Sequence, residues 1–289
     1  MTEASTVPAT EGRSVDSVRV GFIGLGSQGG PMARAIAESQ VRTTLWARRQ
    51  ETLDEFADTG AVMAQTPAEL AASSDLVCIC VVDDAGVESV LLGDDGVLAN
   101  MAPGGAVAIH STIHPRTCLR LAEAAAERGI GLIDAPVSGG GGAAATRSLL
   151  VMVGGDEQVL ERFLPVFAIF ADPVVHLGPL GSGQVTKLLN NTVFAAHLAT
   201  AESVLGVGSE LGIDPRKLSS VIARGSGASF AMNLVGPMGG DLAPMAATAG
   251  PLLHKDVGLL ATLMAERSGT DGLVWSAADA ALAKLSHPR

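Results

Sequence analysis

Lys187 and Asn191, in the stretch "QVTKLLNN", stand four positions apart and share one face of any helix that spans them. A lysine early in a buried interdomain helix must be paired or tuned, because desolvation disfavours its charge. Its pKa then moves from a reference of about 10.4 toward neutrality, where an ammonium can pass a proton to a forming alkoxide. On spacing alone a solvated lysine is the simpler reading, so the chemistry depends on what else the chain supplies.

It supplies two glycine-rich stretches. Gly24-Leu25-Gly26-Ser27-Gln28-Gly29 has G-x-G-x-x-G spacing, with an apolar strand pattern before it and a helical one after it. In that context the first glycine permits a tight turn and the second lets backbone approach a pyrophosphate. The third allows close helix–strand packing, and the helix N-terminus faces the phosphates. At the end of the next strand, where an acid would hydrogen-bond the ribose of NAD, "LWARRQ" puts Arg48 and Arg49. Guanidinium groups suit a 2′-phosphate by charge and fork geometry, so NADP is expected. NAD is the alternative if the arginines are solvated or stack on adenine. The second stretch, "DAPVSGGGGAAATRSLLVMVGG" from Asp134 to Gly155, has the composition of a tether.

The elements that must position these residues show as alternating patterns. Strand patterns at 18–23, 42–47, 75–82, 106–112 and 130–136 alternate with helical ones at 28–39, 51–60 and 116–129. After the glycine run come a strand at 149–155, a helix at 156–170 and a strand at 173–178. The run therefore lies inside the first domain, with the sheet expected to continue beyond it. The alternation predicts an α/β, Rossmann-type doubly wound parallel sheet over 18–180. Beyond "LGPLGSG" the pattern becomes helical only, opening with nearly 30 residues, about 45 Å if continuous. Residues 181–289 are thus expected to form an all-α domain built on a long interdomain helix. Residues 1–17 are polar, lack the apolar core of a signal peptide, and are expected to be a disordered tail.

Composition excludes several classes. A net charge of −11 lacks the basic footprint of a nucleic-acid binder, so a small anionic ligand would need locally concentrated Lys or Arg. No apolar run is long enough to span a membrane. Three cysteines, Cys78, Cys80 and Cys118, are too few for a disulfide framework and point to packing and a cytoplasmic location. The chain has no tyrosine, which removes mechanisms built on a Tyr general acid, such as the Tyr/Lys pair of short-chain dehydrogenases.

Four blocks in order, "GFIGLGSQGGPMA", "DAPVSGGGGAAATRSLLVMVGG", "GPLGSGQVTKLLNN" and "HKDVGLL", span nearly all of the chain after the tail. They are similar to those of the β-hydroxyacid dehydrogenase family, which includes 3-hydroxyisobutyrate dehydrogenases and tartronate semialdehyde reductases. The resemblance implies that Lys187 is the catalytic general acid/base and that Asn191 orients the substrate. It implies that Ser138, Gly139 and Gly140 hold a substrate carboxylate through hydroxyl and backbone N–H groups. Thr112 resembles a residue beside the nicotinamide, Lys255 a lysine that closes over the cofactor, and Asp256 its companion or a structural ion-pair partner. The implied reaction is hydride transfer between NADP(H) and a small 3-hydroxy acid or semialdehyde.

Two departures stand out. Gln28 replaces a usual Met beside the phosphate loop. Arg147 replaces a turn glycine, where it either strains the backbone, reaches an extra acidic group on the substrate, or is merely solvated. Phe230, in "GSGASF", falls where the family varies with substrate and is a candidate pocket residue. Other readings are an imine reductase-like C=N reductase, which usually lacks the lysine, and a non-catalytic dinucleotide-binding module. Apolar residues on several faces of the long helix predict a homodimer or homotetramer.

Overall fold

A computed structural model describes residues 17–265, 267 and 271–289. The expected tail at 1–17 lies, apart from Ser17, outside the described residues. The chain divides into two compact units, Met1–Lys187 and Leu188–Arg289.

The first unit is built on six parallel strands: β1 (Arg19–Ile23), β2 (Arg42–Trp46), β3 (Val62–Met63), β4 (Leu76–Ile79), β5 (Ala106–Ile109) and β6 (Gly131–Asp134). Their order, β3-β2-β1-β4-β5-β6, is that of a doubly wound dinucleotide-binding sheet. Both faces are buried, which explains why the strands read as apolar runs and not as alternations. Along β1, β4 and β5 the side chains go alternately to two cores. Phe22, Cys78 and Ala108 join Met32 and Ile36 of the Gly29–Ala37 helix on one face. Ile23, Ile79 and Ile109 join Leu70, Val87 and Leu121 on the other. Cys78 and Cys118 are buried, and all three cysteines are free.

The sheet does not continue through the glycine run as the sequence led us to expect. β7 (Val137–Ser138), β8 (Leu149–Val153) and β9 (Ala171–His176) form a separate three-stranded sheet in which β7 is antiparallel to β8. Only Ala135 and Pro136 separate β6 from β7. That is too short for the crossover a parallel neighbour needs. Ladder pairing with β6 is reduced to one antiparallel bridge, Asp134 to Gly154. The run itself is wound into a helix, Gly140–Ala145. A further difference is the helix expected to close at Gly60. It stops at Asp54, and the chain goes on in tighter turns such as Ala57 N–H to Asp54 O and Thr59 N–H to Phe56 O.

The long helix runs Ser182–Glu210, and the two units divide within it. Among the described residues the second unit is helical, with Pro215–Ile222, Phe230–Val235, Gly250–Ala265 and Leu273–Lys284 packed with the long helix around Leu198, Leu205, Val257 and Leu282. Each unit holds one of the two tryptophans. Trp46 ends β2 and donates from Nε1 to Gln65 O, while Trp275 is buried beneath the Arg289 guanidinium. Among the described residues no helix is long and apolar enough to cross a membrane.

Candidate active site

The three glycines of the first motif differ in what surrounds them. Gly24 has φ 96°, a conformation L side chains avoid, and a Cβ there would run into the Cys80 carbonyl. A Cβ on Gly29 would collide with the Gly24 carbonyl and come 2.9 Å from Cys80 Cβ. Gly26 meets nothing within 4 Å. The outer two glycines thus bring turn, helix and strand together, and the middle one leaves bare backbone facing open space. That arrangement fits a dinucleotide pyrophosphate at the start of the Gly29–Ala37 helix. A cleft of about 590 Å³ opens beside it, lined by Leu25, Gly26, Ser27, Arg34, Arg49 and Arg147 among others. Gln28 sits at the helix N-terminus without a side-chain capping bond. Arg48 and Arg49, just past β2, are exposed, and neither guanidinium has a side-chain partner among the described residues.

The carboxyl ends of β5 and β6 carry polar groups that sequence reading did not single out. Asp134, the last residue of β6, is fully buried. Its Oδ1 accepts from Gly181 N–H and its Oδ2 from Gln184 N–H, both at 2.6 Å. It therefore caps the start of the long helix with a carboxylate. Burial pushes its pKa up, opposed by those backbone hydrogen bonds. Gln184 is also fully buried and reaches the turn after β5, donating to Ser111 O at 2.8 Å and accepting from Ile113 N–H at 3.1 Å. Ser111 Oγ in turn accepts from Val81 N–H at 2.8 Å, beyond the end of β4. Thr112 is half-buried in that turn, and Lys187 half-buried in the second turn of the helix. The only sequence signal for Asp134 was an acid ending an apolar strand.

His110, at the end of β5, is buried and donates from Nδ1 to Ala135 O at 2.7 Å. Its ring stacks on Phe22 and meets Phe167 and Phe170 edge-on at 5.7 Å. Nε2 has no partner among the described residues. Burial pushes its pKa down to about 4, so the ring is neutral. His114 instead caps the Pro115–Ala126 helix, accepting from Arg116 N–H at 3.1 Å.

Ser138 and Gly139 are half-buried where β7 gives way to the Gly140–Ala145 helix, and Gly139 has φ 126°. Arg147, past the end of that helix, takes φ 56°. A glycine would adopt this conformation freely, which accounts for the residue Arg147 replaces. Its guanidinium pairs with Glu38 at 2.7 Å on the Gly29–Ala37 side of the cleft. Arg147 thus shares a cleft with the Gly24–Gly29 turn, while Ser138, Gly139 and Gly140 do not line that cleft.

In the second unit, Asn191 donates from Nδ2 to Asp256 Oδ2 at 2.5 Å, and Lys255 Nζ donates to Asp256 Oδ1 at 2.7 Å. Asp256 is buried. The structure thus joins three of the sequence-selected residues through one carboxylate. Phe230 is 64% exposed and meets Phe194, on the long helix, edge-on at 5.7 Å. Among the described residues no cluster of His, Cys, Asp or Glu could hold a metal ion.

Fold and loop together define a dinucleotide-dependent oxidoreductase. Residues 19–178 match the NAD-binding domain of 6-phosphogluconate dehydrogenase, and residues 181–286 match a domain described as the NAD-binding of NADP-dependent 3-hydroxyisobutyrate dehydrogenase. The chain is 33% identical to 2-(hydroxymethyl)glutarate dehydrogenase of Eubacterium barkeri, covering 84% of this chain and 81% of that one. It is 33% identical to the NAD-dependent L-serine dehydrogenase of Pseudomonas aeruginosa, covering 83% of each. Among solved structures, Mycobacterium tuberculosis 3-hydroxyisobutyrate dehydrogenase with L-serine superposes with a TM-score of 0.81 at 27% identity, covering 93% of this chain and 94% of that one. The chain belongs to the β-hydroxyacid dehydrogenase family and is a nicotinamide-dinucleotide-dependent hydroxyacid dehydrogenase.

Proposed function

We propose that the enzyme moves a hydride between NADP(H) and a small 3-hydroxy acid or its semialdehyde, with Lys187 as general acid/base. The observation that carries this reading is the setting of Lys187. It is half-buried, one turn beyond a helix start hydrogen-bonded to the carboxyl ends of β5 and β6, the edge where doubly wound sheets bind ligands. A bound nicotinamide supplies the acceptor for the hydride that leaves C3 of the substrate. Lys187, as the neutral amine, takes the hydroxyl proton as the carbonyl forms, and as ammonium returns it in the reverse direction. The Ser138 hydroxyl and the N–H groups of Gly139 and Gly140 hold the substrate carboxylate, and Asn191 orients the hydroxyl-bearing carbon. Thr112 and Lys255 border the nicotinamide.

NADP is favoured by Arg48 and Arg49, two exposed guanidinium groups after β2 where an acid would serve NAD. The NADP in the name of the second matching domain agrees with this, whereas the L-serine dehydrogenase relative is NAD-dependent. Exposed Val193, Val204, Val207 and Leu211 near or on the long helix support assembly into a homodimer or homotetramer, checked by sedimentation.

The test is a panel of hydroxyisobutyrate, hydroxypropionate, glycerate, threonate and longer diacids against both oxidised cofactors, with the reverse reaction on semialdehydes. Turnover with at least one 3-hydroxy acid and a preference for NADP is expected. Lys187→Ala should lose roughly 10²–10⁴-fold in turnover while still binding cofactor. Full activity in that variant overturns the proton-transfer role. Arg48→Ala and Arg49→Ala should weaken NADPH more than NADH, and equal weakening rejects the 2′-phosphate assignment.

A further inference from the structure

Gln184 occupies an unusual place for an amide. It is fully buried in the first turn of the long helix, and its fork closes on both neighbours of Thr112. Nε2 donates to Ser111 O at 2.8 Å, and Oε1 accepts from Ile113 N–H at 3.1 Å. Ser111 and Ile113 are buried, and Thr112 between them is the partly accessible member of the turn. On its other side, the Gln184 backbone N–H is held by Asp134 Oδ2 at 2.6 Å. The residue before it, Gly183, leaves no room for slack. A Cβ there would run into the Met152 carbonyl and lie 2.7 Å from Asp134 Oδ2. The helix start is therefore wedged between the end of β6 and the 111–113 turn, with one side chain setting the spacing. Lys187 lies three residues farther on, less than one turn away.

We propose that Gln184 is a positioning residue whose amide fork sets the distance and direction from Lys187 to Thr112, and so the geometry of proton transfer. This rests on Lys187 being the general acid/base. Misplacing reacting groups by about 1 Å is enough to cost on the order of 10²-fold in rate with binding intact. Leucine at 184 would fill the space but strand the Ser111 carbonyl and the Ile113 N–H without partners. Glutamate offers a second, titratable probe. Protonated, its O–H donates to Ser111 O while its other oxygen accepts from Ile113 N–H, reproducing the amide. Ionised, it only accepts, and it opposes the Ser111 carbonyl. Burial raises its pKa toward the assay range.

The experiment compares full-length Gln184→Leu, Gln184→Glu and Lys187→Ala with the parent enzyme. It measures NADPH Kd by fluorescence, substrate KM, and kcat across pH, with a C3-deuterated substrate to isolate the chemical step. Gln184→Leu is expected to keep Kd and KM within about threefold while kcat falls roughly 10–100-fold. The kcat of Gln184→Glu, divided by that of the parent, should climb as pH falls from about 8 to about 6. The proposal is overturned if Gln184→Leu keeps kcat within about twofold, if its kcat loss is matched by an equal loss of cofactor affinity, or if the Glu ratio is flat with pH. Should the Leu variant fail to fold, the Glu ratio decides alone. Full activity in Lys187→Ala removes the acid/base reading itself. An inactive Lys187→Ala beside unaffected Gln184 variants removes only the positioning role.

Discussion

Asn191 donates from Nδ2 to Asp256 Oδ2 at 2.5 Å, and Asn190 Nδ2 donates to Asn191 Oδ1 at 3.1 Å, so the Asn191 amide is held from both ends. The buried Asp256 carboxylate also anchors Lys255. Asp256→Asn removes the charge from both contacts, and hydrogen bonds to charged groups contribute about 1.5–3 kcal/mol. A substrate KM at least about tenfold higher, with kcat less affected, is the expected result in steady-state assays. An unchanged KM with an unchanged melting temperature would show that Asp256 does not orient Asn191.

The phosphate-loop glycines make separable predictions. Gly26→Ala projects its methyl into open space and should keep the parent's melting temperature while weakening dinucleotide binding at least about tenfold. Gly24→Ala imposes φ 96° on an L residue, roughly 1–2 kcal/mol, before its overlap with the Cys80 carbonyl is counted. It should lower stability of the cofactor-free protein. Calorimetry without ligand and titration with it distinguish the two. Equal melting temperatures for both variants would contradict the packing described here.

Arg147 sets an exposed ion pair against backbone strain. Its bond to Glu38 belongs to a class that contributes about 0–1 kcal/mol, while φ 56° costs a side chain about 1–2 kcal/mol. Arg147→Gly loses the first and relieves the second, so stability should be unchanged or slightly raised. Arg147→Ala loses the pair and keeps the strain. Denaturant unfolding should rank Gly above Ala by about 1 kcal/mol, and the reverse order would mean that glycine's greater freedom in the unfolded chain outweighs the strain it relieves.

His110 predicts a pH dependence. Its pKa is depressed from 6.5 to about 4 in the fold, so the unfolded chain binds more protons between those values. The native state's preference for the neutral ring is fully present above about pH 6.5 and is lost as pH falls toward 4, at most roughly 3 kcal/mol in all. Asp134, raised by burial, acts in the opposite sense, losing stability as pH rises through its folded pKa. Subtracting the stability curve of His110→Asn from that of the parent isolates the imidazole. The difference should shrink between about pH 7 and pH 4, and parallel curves would exclude the effect.

What the sequence revealed follows physical range. The glycine turn after β1 was legible because three glycines in a row of six answer local needs: a positive φ, an open face and a close approach. The long helix was legible from its apolar pattern. The glycine run misled, since glycine is a poor helix former and four together read as open chain. In the fold the segment is short, and it winds where Gly139 turns at φ 126° and Thr146 Oγ1 bonds back to Gly142 O. The second sheet was invisible because periodicity reports strands, not their partners. Asp134, Gln184 and the contacts of the His110 ring join residues 25 to 88 positions apart, and spacing along a single sequence does not reveal such pairings.

With no tyrosine and two tryptophans, this enzyme emits ultraviolet fluorescence from two indoles, and each unit owns one. Trp46→Phe leaves an emission that reports on Leu188–Arg289 alone, and Trp275→Phe one that reports on the dinucleotide-binding unit, from a ring two residues before Arg48. The halves of the intact chain can thus be watched melting, or answering a ligand, as two separate optical channels that need no added dye.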